Sequence, residues 1–204
     1  MNEKFLRLEQ EKQRRILNAG YRVFAENAYA KAPMSEIAGA AGISKALLFH
    51  YFHNKLELYT DLWNHCVRVT SEALREARVL ETDDLFVMLR RSAQAKCGVM
   101  ERYPCMGVFS LRAYYEREPQ VQAVIRADFE RQSQRSLALL LDKVDRSRLR
   151  PEIPLEQIYQ EILWMTDGYM YHQFLTGQLN PARIRRDFDR LIDHWALLYG
   201  RRED

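Results

Sequence analysis

The sequence predicts an all-α protein of about nine helices, in which a small N-terminal domain precedes a larger C-terminal one. Apolar residues recur with the 3.6-residue period of helices along most of the 204-residue chain, and strand-like alternation is almost absent. Most of the eight glycines and six prolines fall where one helical pattern ends and the next begins. An apolar content of 47% is typical of a globular protein that buries a core.

The first three helices are predicted to form a compact group. The first runs from about residue 8 to residue 26, and Asn27 is expected to close it in a left-handed conformation. The second follows Pro33 and ends at Gly42, and Ser44 is expected to cap the third. Two short helices joined by a tight glycine turn are the layout of a helix-turn-helix.

Six longer helices are predicted in the rest of the chain, each bounded by capping, proline or glycine signals. They run from about Asn54 to residue 79, from Asp83 or Asp84 to Arg102, from 105 to 116, from Pro119 to Lys143, from 155 to 176, and from Asn180-Pro181 to Tyr199. We therefore expect a helix-turn-helix domain over residues 1–54 and a second helical domain over residues 55–204.

Positive charge is concentrated at the N-terminal end. Residues 1–55 carry nine Lys or Arg against five Asp or Glu, whereas the remainder carries 22 against 23. Such an asymmetry indicates that this end of the chain meets a polyanion.

The third predicted helix has one flank for the core and one for solvent. Leu48 lies on the first flank, and Lys45 and His50 lie on the second. The N-terminal residues of the second helix in a helix-turn-helix reach base edges, so Lys45 and His50 are predicted to donate to bases or phosphates. Tyr51 and Lys55 are predicted to contact phosphates that set the register. The predicted DNA-contacting residues are Ser44, Lys45, Ala46, Leu47, Phe49, His50, Tyr51 and Lys55.

The segment from Ser35 to Leu58, SEIAGAAGISKALLFHYFHNKLEL, closely resembles the DNA-binding signature of the TetR family of transcriptional regulators. That signature is an EIA, AGxS, hydrophobic, xYF, xxK pattern after a helix similar to AGYRVFAENAYAKA. The matching positions are Ile37, Ala38, Ala41, Gly42, Ser44, Leu48, Tyr51, Phe52 and Lys55.

The chain departs from the family pattern in three places, one of them a residue pair. Ala28 stands where the family usually has Gly, and Met34 stands where it often has a Thr that touches phosphate. Within the third helix, Ala46 and Leu47 replace the usual Gly-Thr pair. The Leu47 side chain cannot form a hydrogen bond as a Thr hydroxyl can, and we expect it to contact a thymine methyl group instead.

The resemblance implies a homodimer that places two recognition helices in successive major grooves of a palindromic double-stranded DNA operator. It also implies that a small-molecule effector binds the C-terminal domain. A repressor that releases its operator on binding effector is the family default, and an activator is the alternative. A second alternative is control by oxidation of Cys97 or Cys105, which flank the Tyr103-Pro104 bend.

Aromatic and methionine residues in the C-terminal domain predict a pocket for a hydrophobic or aromatic effector. Asp167 would suit a cationic aromatic ligand. The predicted lining residues are Met106, Phe109, Tyr114, Phe129, Trp164, Asp167 and Tyr169.

The last two predicted helices carry apolar residues on more than one side, so one face is expected to meet a partner chain. An isologous four-helix interface from two chains fits this pattern. The residues predicted for it are Ile158, Ile162, Phe188, Ile192 and Trp195.

Enzymatic and membrane functions find little support in the sequence. No GxSxG, HExxH or P-loop motif occurs, and the five His residues lack metal-ligand spacing. The three cysteines form no CxxC, and no apolar run approaches the roughly 20 residues of a membrane span. We therefore predict no catalytic residue, metal site or cofactor, and we expect a cytoplasmic protein that does not bind membranes.

Overall fold

The computed structural model describes residues 1–201, which form ten α-helices and two short 3₁₀ turns. No strand occurs within these residues, so the prediction of an all-α fold is confirmed. None of the helices described combines the length and apolar character needed to cross a bilayer. The helices are α1 (Glu3–Leu6), α2 (Gln10–Glu26), α3 (Met34–Ala40), α4 (Lys45–Tyr51), α5 (Lys55–Glu76), α6 (Leu85–Arg102), α7 (Met106–Tyr115), α8 (Pro119–Lys143), α9 (Leu155–Leu175) and α10 (Pro181–Tyr199).

Side-chain caps fix several helix starts where the sequence predicts them. Ser44 Oγ, Asn180 Oδ1 and Asp84 Oδ1 each accept a backbone N–H two or three residues later, at 3.1, 3.0 and 2.8 Å. Each cap satisfies a donor that the first turn of a helix leaves without an intrahelical partner.

One helix end, the conformation of one cap residue and one additional helix differ from the prediction. Asn27 is extended rather than left-handed, with φ −123°, because the chain continues into a 3₁₀ turn at Tyr29–Lys31. Helix α5 ends at Glu76 rather than near residue 79, because Arg78 takes a left-handed φ of +52°. Helix α1 was not predicted at all.

The first compact unit consists of residues 1–68 and 102–129, and aromatic side chains dominate its core. Phe24 and Tyr59 have ring centroids 4.8 Å apart, and the Phe109 centroid lies 4.9 Å from that of Tyr59. Tyr21 is fully buried, and its hydroxyl lies 3.0 Å from the Leu62 carbonyl oxygen. These contacts join α2, α5 and α7 into one layer, since each aromatic pair adds about 0.5–1.5 kcal/mol beyond area burial.

The second unit consists of residues 69–101 and the chain from residue 130 onward. Its core draws apolar side chains from α6, α9 and α10. The core residues are Leu85, Met88, Cys97, Met100, Val144, Leu149, Leu155, Ile158, Ile162, Ile184, Phe188, Ile192, Trp195 and Tyr199.

The two compact units do not follow the predicted division between residues 54 and 55. The first part of α5 and all of α7 belong to the same unit as the helix-turn-helix, because both pack against α2: Tyr59 and Leu62 of α5 contact Phe24 and Tyr21, and α7 lies along the same helix. Compactness and function are separate criteria, so the functional division into residues 1–54 and 55–204 stays a prediction.

Replacing Gly42 with Ala is expected to destabilise the protein by about 1 kcal/mol. Gly42 has φ +64°, which L-residues rarely adopt, and no described atom lies within 4 Å of the position of an added Cβ. The loss would therefore come from backbone strain alone. Gly39→Ala is the matched control, because Gly39 lies within α3 in equally open space. We expect that variant to be about 0.5–1 kcal/mol more stable in urea unfolding, and equal losses would contradict this explanation.

Candidate nucleic-acid interface and effector region

The turn between α3 and α4 is closed by two backbone hydrogen bonds that the left-handed glycine permits. Ile43 N donates to Ala38 O at 3.0 Å, and Gly42 N donates to Gly39 O at 3.0 Å. This pair of bonds is a Schellman motif, which ends α3 and redirects the chain into the Ser44 cap of α4. The local sequence thus fixes the angle at which α4 leaves the turn.

Helix α4 has the two flanks that its periodicity predicts. Leu48 is fully buried, and Lys45 and His50 are exposed. Phe49 is 36% exposed, and the Lys45 ammonium lies 5.9 Å from the centroid of its ring. Of the other predicted contact residues, Ser44 and Ala46 are exposed and Leu47 is half-buried. The solvent flank of α4 therefore presents a cation, an aromatic ring and an imidazole.

An open concavity of about 360 Å³ lies beside this flank. Three of its lining residues are lysines, which makes the surface suited to a polyanion. The lining residues are Ala30, Lys31, Ala32, Pro33, Met34, Ser35, Lys45, Phe49, Asn54 and Lys55.

Two of the predicted phosphate contacts have other surroundings than expected. Tyr51 is only 5% exposed, so little of its side chain is available to a phosphate. Lys55 is half-buried, and its ammonium donates to the carbonyl oxygens of Tyr29, Ala30 and Ala32 at 2.7, 3.2 and 3.2 Å. Both phosphate contacts stay predictions, and Lys55 has a second role within the chain.

Two of the three departures from the TetR pattern, Ala28 and Met34, have structural explanations. Ala28 has φ −59°, which any L-residue adopts, so this position does not require glycine. Met34 is 7% exposed at the start of α3 and packs into the core, where a Thr hydroxyl would lack this apolar contact.

An N-terminal strap, residues 2–8, packs against the end of α4 and was missed by the sequence reasoning. Asn2 Nδ2 donates to His50 O at 3.1 Å. Phe5 is fully buried, with its ring centroid 5.1 Å from that of Phe52 and 6.1 Å from that of Tyr51. The apolar spacing of Phe5 and Leu8 was the available signal, but one turn of helix is too short for periodicity to detect.

Two charged side chains hydrogen-bond to backbone atoms at and after the end of α2. One belongs to Arg112 of α7, and the other belongs to Glu116, which follows α7 directly. Arg112 Nη1 donates to Ala25 O at 2.9 Å, and Glu116 Oε2 accepts from Tyr29 N at 2.8 Å. These bonds tie the segment that leads into the helix-turn-helix to α7. Nothing in the sequence indicates these bonds, because their partners are backbone atoms that lie 87 residues earlier in the chain.

Four of the predicted effector-binding residues lie in the first unit. Met106 and Phe109 are buried, at 3% and 0% exposure, within its core. Tyr114 and Phe129 are half-buried, and their ring centroids are 4.4 Å apart. These two rings are therefore more accessible to a ligand than the first two side chains.

The other three predicted effector-binding residues lie in the second unit. Trp164 is 67% exposed, and the Tyr169 hydroxyl donates to Asp187 Oδ2 at 2.7 Å. Burial raises the pKa of the Asp167 carboxyl, and the positive charge of Lys96 opposes that shift. Of these three side chains, Asp167 alone carries a carboxylate, and its half-buried position suits contact with a cationic group.

The five residues predicted for the dimer interface lie instead in the core of the second unit. All are at most 9% exposed, so none can contact a partner without unfolding that core. Both sides of the last two helices carry apolar residues, so their periodicity does not indicate which side faces the core. Exposed apolar side chains of α9 and α10 are Trp164, Met165, Tyr171, Leu175, Leu197 and Leu198.

The environment of Cys97 and Cys105 does not favour thiol chemistry. Burial raises the pKa of both thiols above its ordinary value, although nearby arginines oppose the shift. The thiolate is the reactive form, so a raised pKa slows oxidation of either residue.

The helix-turn-helix region matches a known protein family. Residues 16–62 match the family model for bacterial regulatory proteins of the tetR family. The transcriptional repressor AcnR of Corynebacterium glutamicum is 27% identical over 159 residues, which cover 76% of this chain and 78% of that protein. The activator FasR of Mycolicibacterium smegmatis is 32% identical over 120 residues, which cover 59% of this chain and 54% of that protein.

Solved structures with low sequence identity share the fold. A TetR family regulator from Chloroflexus aurantiacus superposes with a TM-score of 0.68 at 22% identity, over 98% of this chain and 99% of that one. FadR from Bacillus subtilis, in complex with stearoyl-CoA, gives a TM-score of 0.67 at 14% identity over 89% and 96% of the chains. LfrR from Mycobacterium smegmatis, in complex with proflavine, gives 0.59 at 19% identity over 90% and 96%.

Proposed function

Because the chain belongs to the TetR family of bacterial regulatory proteins and regulates transcription by binding DNA, we propose that it represses as a homodimer that releases a palindromic operator on binding a small effector. The observation that carries the DNA-binding part is the exposed flank of α4, with Lys45 and His50 beside a lysine-lined concavity. The opposite flank is locked by Leu48 in the core, so α4 can enter a groove only with this side.

The dimer is proposed to form through a stripe of α9 that we call the α9 stripe: Trp164, Gly168, Tyr171 and Leu175. These positions recur every three or four residues, so they lie on one side of the helix. Trp164 and Leu175 are 67% and 64% exposed, which is unusual for such large apolar side chains. Apart from the neighbouring backbone of α9 itself, no described atom lies within 4 Å of a Cβ built on Gly168, which leaves room for a partner helix. This stripe replaces the interface residues predicted from the sequence.

A homodimer with twofold symmetry would read two equal half-sites. Recognition helices in successive major grooves require half-site centres about 34–36 Å apart, which is one turn of B-DNA. Neutralising several phosphates should also make the affinity steeply dependent on salt.

The effector is proposed to be a small apolar or aromatic molecule. FadR binds stearoyl-CoA and LfrR binds proflavine, and these ligands share an extended apolar part. In this chain the accessible rings of Tyr114 and Phe129, both in the first unit, supply the apolar contact that such a ligand needs. By linkage, an effector that weakens DNA binding is itself bound more weakly by the DNA complex.

The function is tested by selecting bound duplexes from a random DNA pool and then screening small molecules for release from the selected site. A palindromic consensus with half-sites one turn apart, released by an apolar or aromatic compound, is the expected result. A transcription assay on the selected site distinguishes repression from activation. Activation is tested because the similar protein FasR is an activator. Failure of the unchanged chain to enrich any duplex would refute the proposal.

His50→Ala is expected to reduce sequence preference at one position of each half-site by about tenfold or more, since a good base contact contributes about 1–3 kcal/mol. Binding to unrelated DNA should change much less, because phosphate contacts supply most of it. Repeating the pool selection with the variant measures the change. His194→Ala is the matched control, since His194 is exposed on α10 and is not part of the helix-turn-helix. An unchanged consensus for His50→Ala would rule out base reading by this side chain.

A further inference from the structure

Lys55, the first residue of α5, is committed to the backbone of the preceding 3₁₀ turn. Its Nζ donates to Tyr29 O at 2.7 Å and to Ala30 O and Ala32 O at 3.2 Å each. The same ammonium lies 4.6 Å from the centroid of the Tyr29 ring. One side chain therefore holds a segment that lies more than twenty residues earlier in the chain.

The hydrogen-bond donors of the Lys55 ammonium are all occupied by backbone acceptors. A lysine ammonium has three N–H donors and no acceptor. Three carbonyl oxygens take them, so a phosphate could be bound by Lys55 only by giving up one of these bonds or sharing a donor. Lys55 is also half-buried, so its ammonium is less available to an external anion than that of the exposed Lys45.

The segment that Lys55 holds leads directly into the candidate DNA-binding surface. Residues 30–35 form one wall of the concavity, and Lys45 and Phe49 of α4 line it as well. The three carbonyl oxygens carry partial negative charge, which would repel a phosphate if it were left bare. The ammonium both fixes this wall and cancels that charge.

We propose that Lys55 is a positioning residue for DNA binding, which acts by holding residues 29–32 and masking their carbonyl oxygens rather than by binding a phosphate. The proposal rests on the DNA-binding function proposed above. It differs from the phosphate contact that the sequence predicts for Lys55, and the two roles give different measurable results.

The test compares Lys55→Met, which keeps much of the side-chain length without the charge, with Lys45→Met on the exposed flank. In the free protein, amide hydrogen exchange is measured at Lys31 and Ala32, whose N–H groups donate to Ala28 O at 2.9 and 3.1 Å. Lys55→Met should exchange about tenfold faster at these amides, because hydrogen bonds to a charged group are lost, and Lys45→Met should not.

Operator binding is then titrated at several salt concentrations. Lys55→Met should bind all operator sequences about tenfold or more weakly while the slope of log K against log salt stays unchanged. A direct phosphate contact instead predicts that the slope becomes shallower by about 0.9. That shallower slope, combined with unchanged exchange at Lys31 and Ala32, would overturn the proposal.

Lys55→Arg provides a second variant that keeps the charge. The planar guanidinium fork does not fit three carbonyls that converge on one ammonium, so positioning predicts that Lys55→Arg is also weakened. Full affinity and an unchanged slope for Lys55→Arg would instead support a direct phosphate contact. Should Lys55→Met fail to fold, amide exchange and operator affinity measured on Lys55→Arg decide the question, since positioning predicts faster exchange and weaker binding and a direct phosphate contact predicts neither.

The exchange measurement is made without DNA, so its outcome does not depend on the proposed function. If the unchanged chain binds no selected duplex, the function fails whatever Lys55 does. If it binds DNA and Lys55→Met leaves exchange and affinity unchanged, only the positioning role fails.

Discussion

The double variant Trp164→Asp, Leu175→Asp is expected to be monomeric and to bind the full operator about 10²–10⁴-fold more weakly. Both side chains lie on the α9 stripe and are more than half exposed, so the fold of the second unit should tolerate the changes. In a twofold interface each substitution occurs twice, and four carboxylates would be brought into an apolar contact. Light scattering gives the oligomeric state, and duplex titration gives the affinity.

The monomeric variant should lose affinity because its two recognition helices are no longer joined and bind the two half-sites independently. Helix α4 itself should be unchanged. A duplex with a single half-site should therefore bind the variant and the unchanged chain with similar affinity per recognition helix. The control Leu80→Asp, Val87→Asp adds the same charge at two exposed apolar residues outside α9, which are 44% and 38% exposed. A dimer that survives the α9 substitutions, or is lost equally in the control, would show that the interface lies elsewhere.

Phe5→Ala is expected to destabilise the first unit by about 3–5 kcal/mol, a large part of the 5–15 kcal/mol that stabilises a typical domain. The ring is fully buried and contacts the rings of Tyr51 and Phe52 at the end of α4. Removing it leaves a cavity beneath the recognition helix, so DNA affinity should fall as well. Thermal unfolding followed by circular dichroism should show a midpoint lower by about 10 °C.

Leu6→Ala is the matched control for this change. Leu6 is the next residue of α1 and is 57% exposed, so its truncation should change stability by at most about 0.5 kcal/mol. Equal shifts for the two variants would mean that α1 contributes through its backbone and not through the Phe5 ring.

Local signals explain what the sequence could predict. Pro119 and Lys143 bound α8 as predicted, because proline at the first helical position depends only on neighbouring residues. The two flanks of α4 also follow from the helical period, since Leu48 is apolar and Lys45 and His50 are polar. In both cases the preferred structure depends on residues within one or two helical turns of each other.

Features that depend on distant neighbours were not predictable in this way. Lys55 looks like a surface cation in sequence, and only the return of the chain at Tyr29 brings three carbonyl oxygens to it. In α9 and α10, apolar residues lie on several sides, so periodicity cannot decide which side meets the core. Ile158 and Trp164 have similar apolar character, yet they are 0% and 67% exposed.

The backbone of Tyr29 is bonded on both sides, since Glu116 accepts its N–H and Lys55 donates to its carbonyl oxygen. A carboxylate and an ammonium thus hold the same residue in one conformation, and the loss of either bond leaves the other less well oriented. Substitutions at positions 55 and 116 should therefore be non-additive. Among homologues, the two positions should covary as though they formed an ion pair.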